Sequence, residues 1–158
     1  MQIYIMRHGQ AEMKARSDFE RALTLTGHRA SKTMAKYLIE KDISFDAALV
    51  SPYKRAQQTF LEVSSLYPAI ANVQTFDFLT PMGSVAKVVN EIFALQASGV
   101  KDLLIVSHLP LVGYLVEDLV PSQGAPVFST SSVANIELDE SGFGTFNFLQ
   151  SVEALPRR

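Results

Sequence analysis

Four short apolar runs, each followed by a stretch of helical periodicity, constrain the fold of this chain more than any other feature. The runs cover residues 2–6, 47–50, 73–76 and 103–106. Those at 2–6, 47–50 and 103–106 are stopped by polar or breaking residues and read as buried strands, while 73–76, which carries Gln74, reads as a further strand with a fainter apolar signal. Helices are predicted after them. Over 27–41, Ala30, Met34, Tyr37, Leu38 and the stem of Lys41 share one face. Pro52 opens a second helix, with Ala56, Phe60, Val63 and Tyr67 as its stripe and Pro68 as its stop. A third spans 84–97, with Val85, Val88, Val89, Ile92 and Phe93 inward and Gly99 at its C-terminal cap. The fourth runs from Pro110 to Leu119. The end of the chain differs: residues 133–138 and 145–149 flank Asp139-Glu140-Ser141-Gly142, which reads as an antiparallel hairpin.

This alternation predicts an α/β three-layer sandwich. A mostly parallel central sheet would carry helices on both faces, with the hairpin adding antiparallel strands at one edge. The length of 158 residues suits a single domain over 1–158 with a real core. A net charge of −2 argues against a nucleic-acid partner, which needs a basic field. The absence of cysteine excludes disulfides, thiolate metal sites and cysteine nucleophiles. Residues 1–6 are too short for a signal peptide, and Arg7-His8 ends them. The most apolar stretch, 102–120, is interrupted by His108, Pro110, Gly113, Glu117 and Asp118, so no membrane span is expected. A cytoplasmic protein follows as the expectation.

In a parallel sheet, ligands bind beyond the carboxyl ends of the strands. The first run ends in Arg7-His8-Gly9, the second in Ser51-Pro52 and a helix carrying Arg55, the fourth in Ser107-His108. Two arginines and two histidines would then converge. Cations gathered at one spot need an anion, and arginine's planar fork suits phosphoryl oxygens. A neutral histidine has one ring nitrogen free to attack phosphorus while the other donates to an acceptor and fixes the tautomer. Gly9 would let the backbone pass close to the phosphoryl group. Singly, each has a plainer reading: a turn after a strand, a surface arginine, a hydrogen-bonded core histidine.

Together, Arg7-His8-Gly9, Leu23-Thr24-x-x-Gly27, Ser51-Pro52-x-x-Arg55-Ala56-x-Gln58-Thr59 and Ser107-His108-x-Pro110 resemble the histidine phosphatase superfamily, the phosphoglycerate mutase-like proteins. That resemblance implies His8 as the phosphorylated nucleophile, with Arg7, Arg55 and His108 completing a phosphate pocket that uses no metal or other cofactor. Many members protonate the leaving oxygen with a glutamate in a Leu-x-Glu segment. Thr80 stands there in this chain, within Phe78-Leu79-Thr80-Pro81, and the chain is too short for the helical insertion that caps the larger members.

The two absences point the same way. A monoester expels a poor alkoxide leaving group. Phosphohistidine expels imidazole, whose conjugate acid has a pKa of about 6.5, and so needs less help. The short chain, the Leu-Thr-Pro segment, Ser107-His108-Leu109-Pro110-Leu111-Val112-Gly113, Ser129-Thr130-Ser131 and the 139–142 turn resemble the SixA-type protein phosphohistidine phosphatases. The resemblance implies a monomer acting on a phosphohistidine of a phosphorelay protein: an HPt domain of a hybrid sensor kinase, or else a phosphotransferase-system carrier. The enzyme alternative is a small-molecule phosphomonoesterase or mutase; the alternative of another class is a module that binds phosphohistidine or phosphate without turnover.

Other residues have two readings each. Asp18 and Arg21 follow the first strand; Arg21 adds a cation to the rim and Asp18 orients an arginine or a water, or they form an ordinary solvated ion pair. Glu12 is a reserve proton donor or simply solvated. His28 belongs on the surface. Ser51 and Ser107 are expected chiefly to cap the helices that follow them. Residues 130–132 line the pocket or form a polar turn.

Overall fold

A computed structural model describes residues 1–156. Strands and helices alternate as the apolar runs require: β1 (Gln2–Arg7), α1 (Leu25–Glu40), β2 (Ala47–Val50), α2 (Lys54–Ser64), β3 (Asn72–Thr75), α3 (Val85–Ala97), β4 (Asp102–Ser107), α4 (Leu111–Leu119), β5 (Val133–Leu138) and β6 (Gly144–Gln150). The strands form one sheet in the order β3-β2-β4-β1-β5-β6. β1, β2, β3 and β4 pair in parallel, and β5 and β6 add antiparallel strands beyond β1. The register sets Arg7 beside Ser107 and Val50 beside Val106, so three strand ends open onto one edge.

Alternation along the strands divides the core into two layers. Ile3, Ile5, Leu103 and Ile105 face Val88 and Ile92 of α3 and Leu111 and Leu115 of α4. Tyr4, Met6, Leu104 and Val106 face Met34 and Leu38 of α1 and Phe60 and Val63 of α2. Each fully buried Ile, Leu or Val contributes about 1.5–3 kcal/mol against exposure. Burial of β1 and β4 on both sides holds the residues that follow them.

Caps set the helix starts. The Thr24 hydroxyl accepts from the Gly27 N–H ahead of α1, and Ser84 accepts from the Lys87 N–H ahead of α3. Gly99 follows α3 at φ 99°, where a left-handed residue ends a helix. Several expectations shift. The buried face of α1 is Gly27, Ser31, Met34, Ala35 and Leu38, so the stripe is rotated from the one through Ala30, Tyr37 and Lys41. The cause is the close seat of the helix start: a Cβ on Gly27 would collide with the Gln10 carbonyl. Phe93 is 40% exposed, and Leu95 takes its place inside α3. α2 begins at Lys54, beyond Pro52, and ends at Ser64, before Pro68. β3 runs one residue earlier than predicted and is a largely exposed edge strand. Among the described residues, no helix is long and apolar enough to cross a membrane.

Candidate active site

Arg7, His8, Arg55 and His108 meet at the carboxyl edge of the sheet, as the strand ends require. The His8 and His108 rings lie 5.0 Å apart, centroid to centroid. His8 is 7% exposed, Arg55 4% and His108 1%.

The orientation of His8 is settled by its own loop. Nδ1 lies 2.7 Å from the Gly9 carbonyl oxygen. A carbonyl only accepts, so Nδ1 carries the proton and Nε2 the lone pair. Arg55 Nε donates to that lone pair at 3.3 Å. Desolvation drives the His8 pKa down to about 4; the Gly9 hydrogen bond opposes this, and the charges of Arg55, Arg7 and Arg21 add to it. The ring is therefore neutral at neutral pH, with its lone pair on Nε2.

Gly9 has a reason of its own to be glycine. A Cβ would meet the Gly27 carbonyl and Ser31 Oγ at 2.8 Å and Ser131 Oγ at 3.0 Å. Its N–H donates to Thr59 Oγ1 at 2.9 Å, and that hydroxyl donates to the Arg55 carbonyl at 2.7 Å. Thr59 thus ties the His8 loop to α2. Beneath it, Ser131, at φ 61°, donates its N–H to the Arg7 and His8 carbonyls, and its hydroxyl pairs with Ser31. The 130–132 segment is therefore a buried brace under the strand end.

Arg55 is held by Asp18. Its Nη1 donates to the Asp18 carbonyl oxygen at 2.7 Å and Nη2 to Asp18 Oδ2 at 3.2 Å. Arg21 Nη1 donates to Asp18 Oδ1 at 3.0 Å, and Arg21 Nε to the Glu12 carbonyl oxygen at 2.7 Å. Burial raises the Asp18 pKa, but the hydrogen bonds from Arg21 and Arg55 outweigh it and hold the carboxyl below its ordinary value. Asp18 and Arg21 therefore do more than form a solvated pair: they clamp the loop onto Arg55, and Arg21 reaches His8 by its charge. Arg7 Nη1 donates to the Phe128 carbonyl at 2.8 Å. Two buried side-chain nitrogens have no hydrogen-bond partner among the described residues, Arg7 Nε and His108 Nδ1, and both belong to this cluster.

Ser51 and Ser107 depart from the helix-capping expectation. Ser51 Oγ lies 2.7 Å from His108 Nε2, and both residues are buried. The Ser107 hydroxyl donates to the Leu79 carbonyl at 2.7 Å, anchoring the segment before Thr80. Ser107 is the last residue of β4, and Ser51 directly follows β2, two residues before the N-cap Tyr53 of α2, so neither sits at a helix start. Tyr53, which the sequence did not single out, packs against the His108 and Phe19 rings at 5.0 and 5.1 Å and under the Arg55 guanidinium at 5.0 Å. Its position two residues before Arg55 was its one signal. His28 lies apart, 3.3 Å from Glu62. A concavity of about 700 Å³ runs along Thr33, Lys36 and Tyr37 of α1 and Lys41 beyond it to Leu155; it shares no residue with the cluster.

A buried and a half-buried arginine, a neutral histidine with a lone pair on Nε2 and a second neutral histidine make a receptor for a tetrahedral oxyanion. The comparisons agree with this chemistry. The model of the histidine phosphatase superfamily (branch 1) matches residues 3–78. Phosphohistidine phosphatase SixA of Escherichia coli (strain K12) is 44% identical over 151 residues, 96% of this chain and 94% of that one. A SixA homolog of Haemophilus influenzae is 37% identical over 146 residues, 88% of this chain and 89% of that one. Among solved structures, a protein histidine phosphatase SixA complexed with tungstate superposes with a TM-score of 0.93 at 44% identity, covering 96% of this chain and 97% of that one.

Proposed function

Because this chain belongs to the SixA-type histidine phosphatases of the histidine phosphatase superfamily, we propose that it is a protein phosphohistidine phosphatase working through a phosphorylated His8. The observation that carries the reading is the pair of buried nitrogens without a partner among the described residues, Arg7 Nε and His108 Nδ1, beside a histidine whose Nε2 carries a lone pair, 3.3 Å from Arg55 Nε. Unpaired buried polar atoms cost about 1–3 kcal/mol each, and a phosphoryl group offers oxygens to both.

The His8 Nε2 lone pair attacks phosphorus and the P–N bond of the substrate breaks. Its electron pair returns to the substrate ring, which leaves as neutral imidazole when its other nitrogen carries a proton. The His8 ring becomes positive as it takes the phosphoryl group, and the Gly9 carbonyl, accepting from Nδ1–H, stabilises that charge. Arg7, Arg55 and His108 stabilise the phosphoryl oxygens in the transition state. Water then attacks phosphorus, both its protons staying with the phosphate, and His8 regains its lone pair.

No enzyme acid enters this sequence. Thr80 donates its hydroxyl to the Asp77 carbonyl, and Asp18 is held as a carboxylate between two arginines. A P–N substrate tolerates this and a monoester does not. A protein substrate also fits the surroundings. Met13, Met82 and Val127 are 85%, 86% and 83% exposed. They sit on the loops leaving β1 and β3 and beside Phe128, whose carbonyl holds Arg7. Exposed apolar side chains on loops that leave the strand ends suit a protein surface better than a metabolite. An HPt domain in the cytoplasm is the substrate this reading favours, with a phosphotransferase-system carrier second.

The test is paired hydrolysis of a phosphohistidine-bearing HPt domain and a panel of phosphate monoesters, with His8→Ala as the blank. Rapid loss of the P–N phosphate with poor monoester turnover is expected. Equal monoester turnover, or residual hydrolysis by His8→Ala, would overturn the reading.

A further inference from the structure

We propose that Ser51 is a positioning residue that fixes the tautomer of His108, so that Nδ1–H becomes a neutral hydrogen-bond donor to the phosphoryl group. The proposal rests on the reading of this cluster as a phosphoryl-transfer site.

Hydrogen-bond accounting carries it. Ser51 is fully buried, so bulk water does not reach its hydroxyl. Among the described residues its Oγ has two hydrogen-bond partners: the Tyr53 N–H, which donates at 3.3 Å, and His108 Nε2 at 2.7 Å. Tyr53 N–H offers nothing to the serine proton. His108 Nε2 is therefore the one acceptor within reach of the Ser51 O–H among these neighbours. If Nε2 carried the ring proton instead, it would donate to Ser51 Oγ, and the serine proton would be buried without a partner. That arrangement costs about 1–3 kcal/mol. So Ser51 donates, Nε2 accepts, and the ring proton sits on Nδ1.

With Nε2 spent on Ser51, Nδ1 is the ring nitrogen left for a ligand, and it is buried without a partner. In this tautomer it offers a proton to an oxyanion; in the other it would offer a lone pair and repel it. Burial first, then the nearby His8 and the Arg55 charge, push the His108 pKa far below its ordinary 6.5, so the donor is the neutral ring and not an imidazolium. The two histidines thus carry opposite tasks. His8 is pinned through Nδ1 by a carbonyl and presents a lone pair. His108 is pinned through Nε2 by a hydroxyl and presents a proton.

The test is nitrogen NMR of the full chain with labelled histidine, assigned with His108→Ala and read at neutral pH. In the wild type, His108 Nδ1 is expected in the protonated range and Nε2 in the unprotonated range. Ser51→Ala is expected to give a mixture of tautomers or the reversed one. A protonated Nε2 in the wild type overturns the proposal, whatever the substrate proves to be, and this holds even if the variant folds poorly. Kinetically, Ser51→Ala should lower kcat by part of the roughly 100-fold that loss of one oxyanion donor costs. The double variant Ser51→Ala/His108→Ala should be no slower than His108→Ala alone. Fully additive losses would mean that Ser51 acts elsewhere.

Discussion

At the scale of the residue, the site is a set of nitrogens each given one task by the partner of its other end. Arg55 shows the division most plainly. Two of its nitrogens are held by Asp18 and the third meets His8 Nε2. Arg55→Ala should therefore remove transition-state stabilisation and also free the Asp18 loop, and a drop of about 100-fold in kcat is expected. A rate equal to wild type would mean that Arg55 does not touch the phosphoryl group. His8 gives a prediction about acid. Its pKa is 6.5 when free and about 4 in the fold. Between those values the unfolded chain binds the proton and the folded one does not. Stability is complete above about pH 6.5 and falls as pH drops toward 4, by roughly 3 kcal/mol from this group. Thermal unfolding across that range should show a shallower fall for His8→Asn, with His108 supplying the remainder. An identical profile in the variant would place the titrating group elsewhere. The identities of Arg7, His8, Arg55 and His108 could be read from the chain because each lies within a few residues of a buried strand. Ser51 and Tyr53 lie equally close, yet serine and tyrosine have many uses, and only a measured partner separates them.

Elements decide how closely these residues approach. The start of α1 packs on the backbone after β1 so tightly that Gly9 and Gly27 both lack room for a Cβ. Alanine in a helix is better than glycine by about 1 kcal/mol. Gly27→Ala should nevertheless destabilise, because its methyl meets the Gln10 carbonyl, and forced overpacking costs about 1–3 kcal/mol. A raised melting temperature would mean that the Gln10 segment moves aside freely. This contact also explains why periodicity misjudged the helix. Apolar spacing finds an inward face from side-chain character, and Ser31 and Gly27 carry no apolar signal. They are buried because a loop rests on them. β1, β2 and β4 were legible for the converse reason: burial on both faces leaves few polar positions to confuse the run.

For the whole molecule, the catalytic edge is bordered by the loops that leave the parallel strands. Replacing Met13, Met82 and Val127 together by serine should raise KM for a phosphohistidine protein on the order of 10-fold. The loss in kcat/KM should be smaller for free phosphohistidine, since small interface contacts contribute about 1 kcal/mol or less each. Equal losses on both substrates would place the effect in the floor rather than the rim. The sequence by itself determined the alternation of strands and helices, the antiparallel hairpin and which side chains gather at the sheet edge. Those follow from local periodicity and from the rule that parallel strands expose their carboxyl ends together. Only the tertiary structure decided that Asp18 clamps Arg55, that Thr59 ties Gly9 to α2 and that Ser51 meets His108 across 57 positions. Such hydrogen bonds join residues far apart in the chain, and their directions depend on angles and distances of tenths of an ångström, which no spacing along a sequence encodes.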